Sequence, residues 1–225
     1  MPRHLGLILD GNRRWAKSAG LPKLQGHKKG YENLKVIADA ALDQGVEYLS
    51  AYIFSTENWN RAEKEVGYLM KLVVEVFTKD IESFMEKNVK IVFLGSRERL
   101  SKAVLNAISR AEEQTKDNNR GTLALCFNYG GHLEIVDAVK RIVASGVDED
   151  EVDEKLIEQN IYRPEVPPVD FMIRTSGEQR LSNFMLWRIA YAELHFVDKH
   201  WPAFTVEDLE QALEEYSARQ RRFGK

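Results

Sequence analysis

Residues 5–15 read LGLILDGNRRW, and the fold turns on that stretch. Leu5, Leu7, Ile8 and Leu9 make an apolar run too dense for a half-solvated strand, the pattern of a strand buried on both faces of a parallel sheet. Asp10 stands where that strand stops. In open α/β sheets the ligand crevice lies at the carboxyl ends of the strands, so a carboxylate followed by Gly11, Asn12, Arg13 and Arg14 points to a phosphate and metal site. Gly11 lets backbone approach a ligand closely, and the arginines supply forked donors matched to phosphate oxygens. Taken alone, the stretch fits an ordinary strand-to-helix turn with a solvated basic pair equally well.

The chain has 225 residues, 44% apolar and 30% charged, enough for one α/β domain spanning residues 1–225 and cramped for two. A formal charge of -3 argues against a nucleic-acid-binding surface, although a basic cluster can sit inside a cleft. The single cysteine, Cys126, has no disulfide partner and lies in the apolar run LALCF, which suits a reducing compartment. No secretory pattern opens the chain, and no apolar run approaches the ~18 residues that span a bilayer. The expectation is a soluble, cytoplasmic protein, able to meet a membrane only peripherally.

Strand and helix patterns alternate along the chain. Residues 20–30, with Pro22 and three glycines, read as a loop before a helix over 31–43. Strands are expected at 46–54, 89–94, 123–128, 169–173 and 194–197. Apolar residues at helical spacing predict one long helix over 63–87, a packing helix first of all, whose wide apolar face could also wall a hydrocarbon tunnel. Helices are expected at 98–116 and 133–144. Another is expected at 205–222, with Thr205 and Asp208 in capping-box spacing. This order predicts a single-domain α/β fold, a mainly parallel central sheet flanked by helices.

Four strand ends carry chemistry: residues 10–14, 55–61, 128–131 and 174–183. Arg14, Arg61, Arg174 and Arg180 could clamp one or two diphosphates, each charge-assisted hydrogen bond contributing roughly 1.5–3 kcal/mol. Asp10 with a second carboxylate could hold Mg²⁺. No Walker loop, GxGxxG turn, HExxH, paired CxxC or GxSxG occurs. A phosphatase with Asp10 as nucleophile stays open, weakened by Asn rather than a second acid at position 12.

The stretches LGLILDGNRRWA, YIFSTENWNR, FNYGG and VDFMIRTSGEQRLSNFMLWRIAYAELHF resemble, in order from Pro2 to Gly224, the signature stretches of the cis-prenyltransferases, the undecaprenyl diphosphate synthase family. The resemblance implies condensation of isopentenyl diphosphate with an allylic prenyl diphosphate, each addition creating a Z double bond, and a hydrophobic tunnel for the product. It implies Asp10 as the catalytic aspartate assisting Mg²⁺, with Glu193 as the second metal carboxylate. Gly11, Asn12, Arg13, Arg14, Trp15, Lys23 and His27 would line the allylic diphosphate site, completed by Ser55, Thr56, Glu57, Trp59 and Arg61. Arg174, Arg180, Leu181 and Ser182 would bind isopentenyl diphosphate. Asn58 matches the residue usually assigned as proton acceptor, but a neutral amide is a poor base and a diphosphate oxygen could take the proton instead.

The tail Arg222-Phe223-Gly224 matches the segment that in this family completes a neighbouring subunit's site, which implies a homodimer; the product would be a glycan-carrier lipid precursor delivered to the membrane. Lys23 stands where an Arg is common, keeping charge without the fork. Ile53 stands where many long-chain members carry Ala, on the strand face that alternation turns away from Phe54, and is expected to narrow the tunnel and shorten the product. Trp187 and Trp201 are expected to be packing aromatics, and His4, His195 and His200 structural or surface groups. A non-catalytic accessory subunit of such an enzyme is the non-enzymatic alternative; the joint presence of Asp10, Asn58, Arg174, Arg180 and Glu193 disfavours it.

Overall fold

The computed structural model describes residues 1–219. Six strands, β1 (His4–Ile8), β2 (Tyr48–Ser55), β3 (Val89–Leu94), β4 (Gly121–Tyr129), β5 (Phe171–Thr175) and β6 (Glu193–Val197), form one sheet in the order β3-β4-β2-β1-β5-β6. Every pairing is parallel. The helices are α1 (Asn12–Ser18), α2 (Lys23–Asp43), α3 (Glu63–Lys79), α4 (Ile81–Glu86), α5 (Lys102–Thr115), α6 (Gly131–Ser145), α7 (Glu154–Asn160) and α8 (Val206–Ala218).

All five residues of β1 are buried, as its apolar density requires. The main core joins β1, β2 and β4 to α2, α3, α4, α5 and α8 on one face; a second cluster, including Tyr162, Val166, Phe184 and Met185, covers the other. After β1 the chain builds outward through β2 toward β3, then returns to lay β5 and β6 on the other side of β1. The β1/β5 boundary is therefore the topological switch point, where helices depart to either side and leave a crevice at the carboxyl rim.

Three local expectations are corrected. Residues 23–30 are not loop but the first two turns of α2. The glycines that suggested a loop serve helix packing: a Cβ on Gly26 would lie 2.1 Å from the Asn12 carbonyl oxygen, and one on Gly30 2.1 Å from Asn12 Oδ1. The helix expected over 63–87 is two helices, broken at Asp80, which caps both. Finally, Ile53 does not point away from Phe54. Between Tyr52↔Cys126 and Phe54↔Phe127 strand β2 holds one extra residue, and between Phe54↔Phe127 and Ser55↔Tyr129 strand β4 holds one, Asn128 at φ 50°. The first irregularity breaks the alternation, so Ile53 and Phe54 face the same core.

The capping box of α8 forms as expected, Thr205 Oγ1 accepting from the Asp208 N–H and Asp208 Oδ2 accepting from the Thr205 N–H. The helix ends at Ala218 rather than running to 222. The tail expected from Arg222 to Gly224 lies outside the described residues. Among the described residues no helix is long and apolar enough to cross a membrane.

Candidate active site

Asp10 sits two residues past β1 at the switch point, its carboxylate held from three sides. Gly11, in the left-handed region at φ 101°, turns its N–H onto Asp10 Oδ1 at 2.7 Å. Arg14 Nη2 donates to the same oxygen at 3.1 Å, and Arg174 Nη2, from the end of β5, donates to Oδ2 at 2.8 Å. Burial pushes the Asp10 carboxyl upward, but Arg174, Arg14 and the Gly11 N–H outweigh it and hold it below its ordinary value. The turn has no room for a side chain at Gly11, where a Cβ would meet Ser176 Oγ at 2.7 Å and His200 at 2.9 Å. Ser176 Oγ and His200 Nδ1 are themselves hydrogen-bonded at 2.7 Å.

Arg174 is 3% exposed. Its Nη1 donates to the Arg180 carbonyl and to Ser182 Oγ, while its buried Nε has no partner among the described residues. Glu178 bridges two further cations, accepting from Arg14 Nη1 at 2.9 Å and from Arg180 Nη1 at 2.5 Å. Arg180 is otherwise exposed at the edge of the site.

A second carboxylate organises the other wall. Glu65, in the first turn of α3, accepts from Arg61 Nη1 at 3.1 Å and contacts His27 Nε2 at 3.1 Å; Arg13 Nε lies 4.0 Å away. Burial works against the charge of Glu65, yet His27, Arg61 and Arg13 outweigh it and keep the carboxyl below its ordinary value. Burial also holds His27 below its own ordinary value despite Glu65, so the ring is the neutral donor of this pair.

Residues 56–60 form a short 3-10 turn closed by a capping box: Ser55 and Asn58 exchange bonds, and Asn58 Oδ1 accepts from the Ser55 N–H at 3.2 Å. With its carbonyl engaged, the Asn58 side chain offers the site its amide N–H groups. Glu57 accepts from Asn183 Nδ2 at 3.0 Å. Trp59 donates to Asn128 Oδ1 at 2.7 Å and lies under the Arg99 guanidinium, 4.4 Å from its centroid.

These groups surround a cleft of about 1020 Å³. Asp10, Gly11, Asn12, Arg13, Arg14, Lys23, His27, Ser55, Glu57, Asn58, Arg61, Arg174 and Ser182 line it, and Lys17 and Asn183 join them. Trp15, Thr56, Trp59, Arg180 and Leu181 stand behind or beside the lining: Thr56 Oγ1 abuts Gly130, and Leu181 packs on the second core cluster. Glu193 is not brought to Asp10. It opens β6 opposite Phe171, at the far edge of the sheet, roughly 13 Å of strand below the rim, and accepts from Arg219 Nη1 at 2.9 Å. Beneath the cleft an apolar cavity of about 70 Å³ runs between α2, α3 and the sheet; Leu9, Asn12, His27, Tyr52 and Ile53 line both spaces.

The family model described as "Putative undecaprenyl diphosphate synthase" matches residues 8–224. This chain belongs to that undecaprenyl diphosphate synthase family, the cis-prenyltransferases. A fellow member, the isoprenyl transferase of Thermotoga maritima, is 46% identical over 226 residues, covering all of this chain and 97% of its relative. The decaprenyl diphosphate synthase of Mycobacterium bovis is 44% identical over 228 residues, all of this chain and 77% of that one. Among solved structures, lavandulyl diphosphate synthase of Lavandula x intermedia in complex with dimethylallyl diphosphate superposes with a TM-score of 0.95 at 35% identity, covering 100% of this chain and 98% of the other.

Sequence reasoning passes over four groups of this cis-prenyltransferase site. Glu65 reads as a routine first-turn acid, and only the arrival of His27 on α2 shows what it holds. Ser176 and His200 pair across 24 residues, with no shared motif to announce it. Glu178 stands in plain view within EQRLSN, but its bridging of Arg14 and Arg180 is a tertiary fact.

Proposed function

We infer that this cis-prenyltransferase joins isopentenyl diphosphate to an allylic prenyl diphosphate and releases a Z-polyprenyl diphosphate. One observation carries the reading: the cationic cleft around Asp10 and Arg174 continues, through shared lining residues, into an apolar cavity. A diphosphate head and a hydrocarbon tail need those two environments side by side.

In this reading Arg13, Arg61 and Lys23 hold the allylic diphosphate, with Gly11 admitting it to the backbone and Glu65 keeping the two arginines oriented. Arg174, Arg180 and Ser182 hold isopentenyl diphosphate; the unpartnered Nε of Arg174 is a buried donor suited to a phosphate oxygen. The allylic carbon–oxygen bond breaks as the new carbon–carbon bond forms, and the diphosphate departs with the electron pair. The released proton goes to a diphosphate oxygen rather than to Asn58, whose Oδ1 already accepts from Ser55.

Among the described residues no three His, Cys, Asp or Glu groups gather into a protein-only metal cage. Asp10 is the carboxylate that would hold Mg²⁺, an ion that takes few protein ligands and draws the others from phosphate and water. Bound there, Mg²⁺ would neutralise charge growing on the departing diphosphate. Glu193 could serve a metal only by way of a second chain, consistent with a homodimer in which the Arg222–Gly224 segment reaches the partner site. The product would pass to the membrane from a cytoplasmic enzyme.

The deciding experiment incubates the purified chain with isopentenyl diphosphate, Mg²⁺ and allylic primers of several lengths, with products read by mass spectrometry. Elongated prenyl diphosphates support the reading. Release of phosphate without chain growth sinks it.

A further inference from the structure

The peptide unit between Asp10 and Gly11 is held at both of its polar ends. Its N–H, that of Gly11, donates to Asp10 Oδ1 at 2.7 Å. Its oxygen, that of Asp10, accepts from Thr175 Oγ1 at 2.8 Å and from the Trp201 N–H at 2.9 Å. The unit is trans and planar, so its oxygen and its N–H point opposite ways, and whatever fixes the oxygen also aims the N–H. The two donors come from different elements: Thr175 ends β5, and Trp201 opens the short turn that follows β6.

Ser176 follows Thr175 in the chain and His200 precedes Trp201, so the 2.7 Å bond between Ser176 Oγ and His200 Nδ1 ties the two donors' neighbours to each other. The backbone ties the same segments, the Ser176 N–H donating to the Lys199 carbonyl at 2.8 Å. Both side chains stand where a Cβ on Gly11 would point, which places the pair directly behind the turn. Neither residue lines the cleft. Ser176 is buried and holds φ 83°, in the left-handed region that favours glycine. A serine held in a conformation that suits glycine points to a use for its hydroxyl.

We propose that Ser176 and His200 are positioning residues: bonded to each other, they clamp the Thr175 and Trp201 donors onto one peptide oxygen and so aim the Gly11 N–H at the Asp10 carboxylate. Without the clamp the Asp10–Gly11 peptide rocks, the bond to Oδ1 lengthens, and the carboxylate pivots about its remaining bonds to Arg14 and Arg174. The inference rests on the reading of Asp10 as the carboxylate that serves prenyl transfer.

Four variants test it: His200→Leu, His200→Asn, Ser176→Ala and Ser176→Gly. Each is followed by condensation kinetics, thermal unfolding and amide-proton NMR of the substrate-free chain. His200→Leu and Ser176→Ala, which lose the bond, lower kcat about 10- to 100-fold, the scale of a small misplacement behind a reacting group, and the Gly11 amide proton moves upfield. His200→Asn, whose side chain can still bond to Ser176 Oγ, recovers most of both. Ser176→Gly relieves the left-handed backbone and melts above Ser176→Ala, yet is no more active. Should Ser176→Ala fail to fold, Ser176→Gly takes its place. Turnover that follows melting temperature across the variants, an unchanged kcat, or a lowered kcat with the Gly11 signal in place each overturns the clamp. A parent chain that makes no condensation product overturns the prenyl-transfer reading, whereas a Gly11 signal unmoved in His200→Leu overturns the clamp alone.

Discussion

Arg174 reaches from the end of β5 to Asp10 past the end of β1, Nη2 to Oδ2 at 2.8 Å, and so spans the switch point of the sheet. That bond fixes the carboxylate's place, and Asp10→Asn keeps its shape while removing its charge. The expected result is a fall in kcat of about 10²- to 10³-fold, the range for losing one preorganised electrostatic contact. Steady-state kinetics with saturating Mg²⁺ measures it; an unimpaired Asp10→Asn would exclude the carboxylate from the chemistry.

Asn58 commits its carbonyl to the Ser55 N–H and keeps its amide donors for the cleft. Asn58→Ala is expected to lower kcat about 10- to 100-fold, matching one lost charge-assisted bond, with the shape of the pH–rate profile unaltered because no titrating group is lost. A displaced limb in that profile would instead mark Asn58 as part of the proton path.

Ile53 lines both the cleft and the apolar cavity. Removing its branched side chain widens the passage there, so Ile53→Ala is expected to shift products longer. Chain-length analysis identical to the parent's would acquit Ile53.

Two glycines in helices are expected to respond in opposite directions to alanine. Gly26→Ala drives a methyl onto the Asn12 carbonyl and should cost about 2 kcal/mol or more. Gly67, inside α3, has open space within 4 Å of where the new methyl would stand, and its replacement should stabilise by about 0.5–1 kcal/mol. Thermal melts of both variants give the comparison.

His4, fully buried, pairs Nδ1 with the Pro167 carbonyl and Nε2 with Ser50 Oγ, both at 2.7 Å. Burial, partly opposed by the Pro167 carbonyl, pulls its pKa down to about 4 from the ordinary 6.5. The unfolded chain thus binds the proton first: the contribution is full above 6.5 and drains away as pH falls toward 4, by about 3 kcal/mol. Urea titrations at pH 7 and 4.5 should show this loss, and His4→Gln should flatten it.

Much of the frame is legible in the residues themselves. Strand β3 falls where VKIVFL places it, and the polar clusters at the strand ends converge on one rim because every strand runs the same way. What escapes is whatever depends on a distant partner. Pro22 and the glycines after it resemble a loop until Asn12 explains why Gly26 and Gly30 lack side chains. Apolar spacing runs unbroken through Asp80, whose place between two helices makes sense only beside Tyr31 and Lys35. Glu193 opens β6 at the far edge of the sheet and pairs with Arg219, a placement set by strand order that its own stretch of sequence does not carry.

The paired irregularities of β2 and β4 cancel. Ile53 adds a residue to one strand and Asn128 to the other, so Ser55 and Tyr129 finish opposite each other. With only one of the two insertions, one strand would overshoot its neighbour by a step of about 3.3 Å, carrying the 55–61 turn out of line with the Trp59–Asn128 bond. A lineage could therefore gain or shed these residues only as a matched pair, and the alignment of two loops with one substrate is written as an equality of lengths rather than as any single contact.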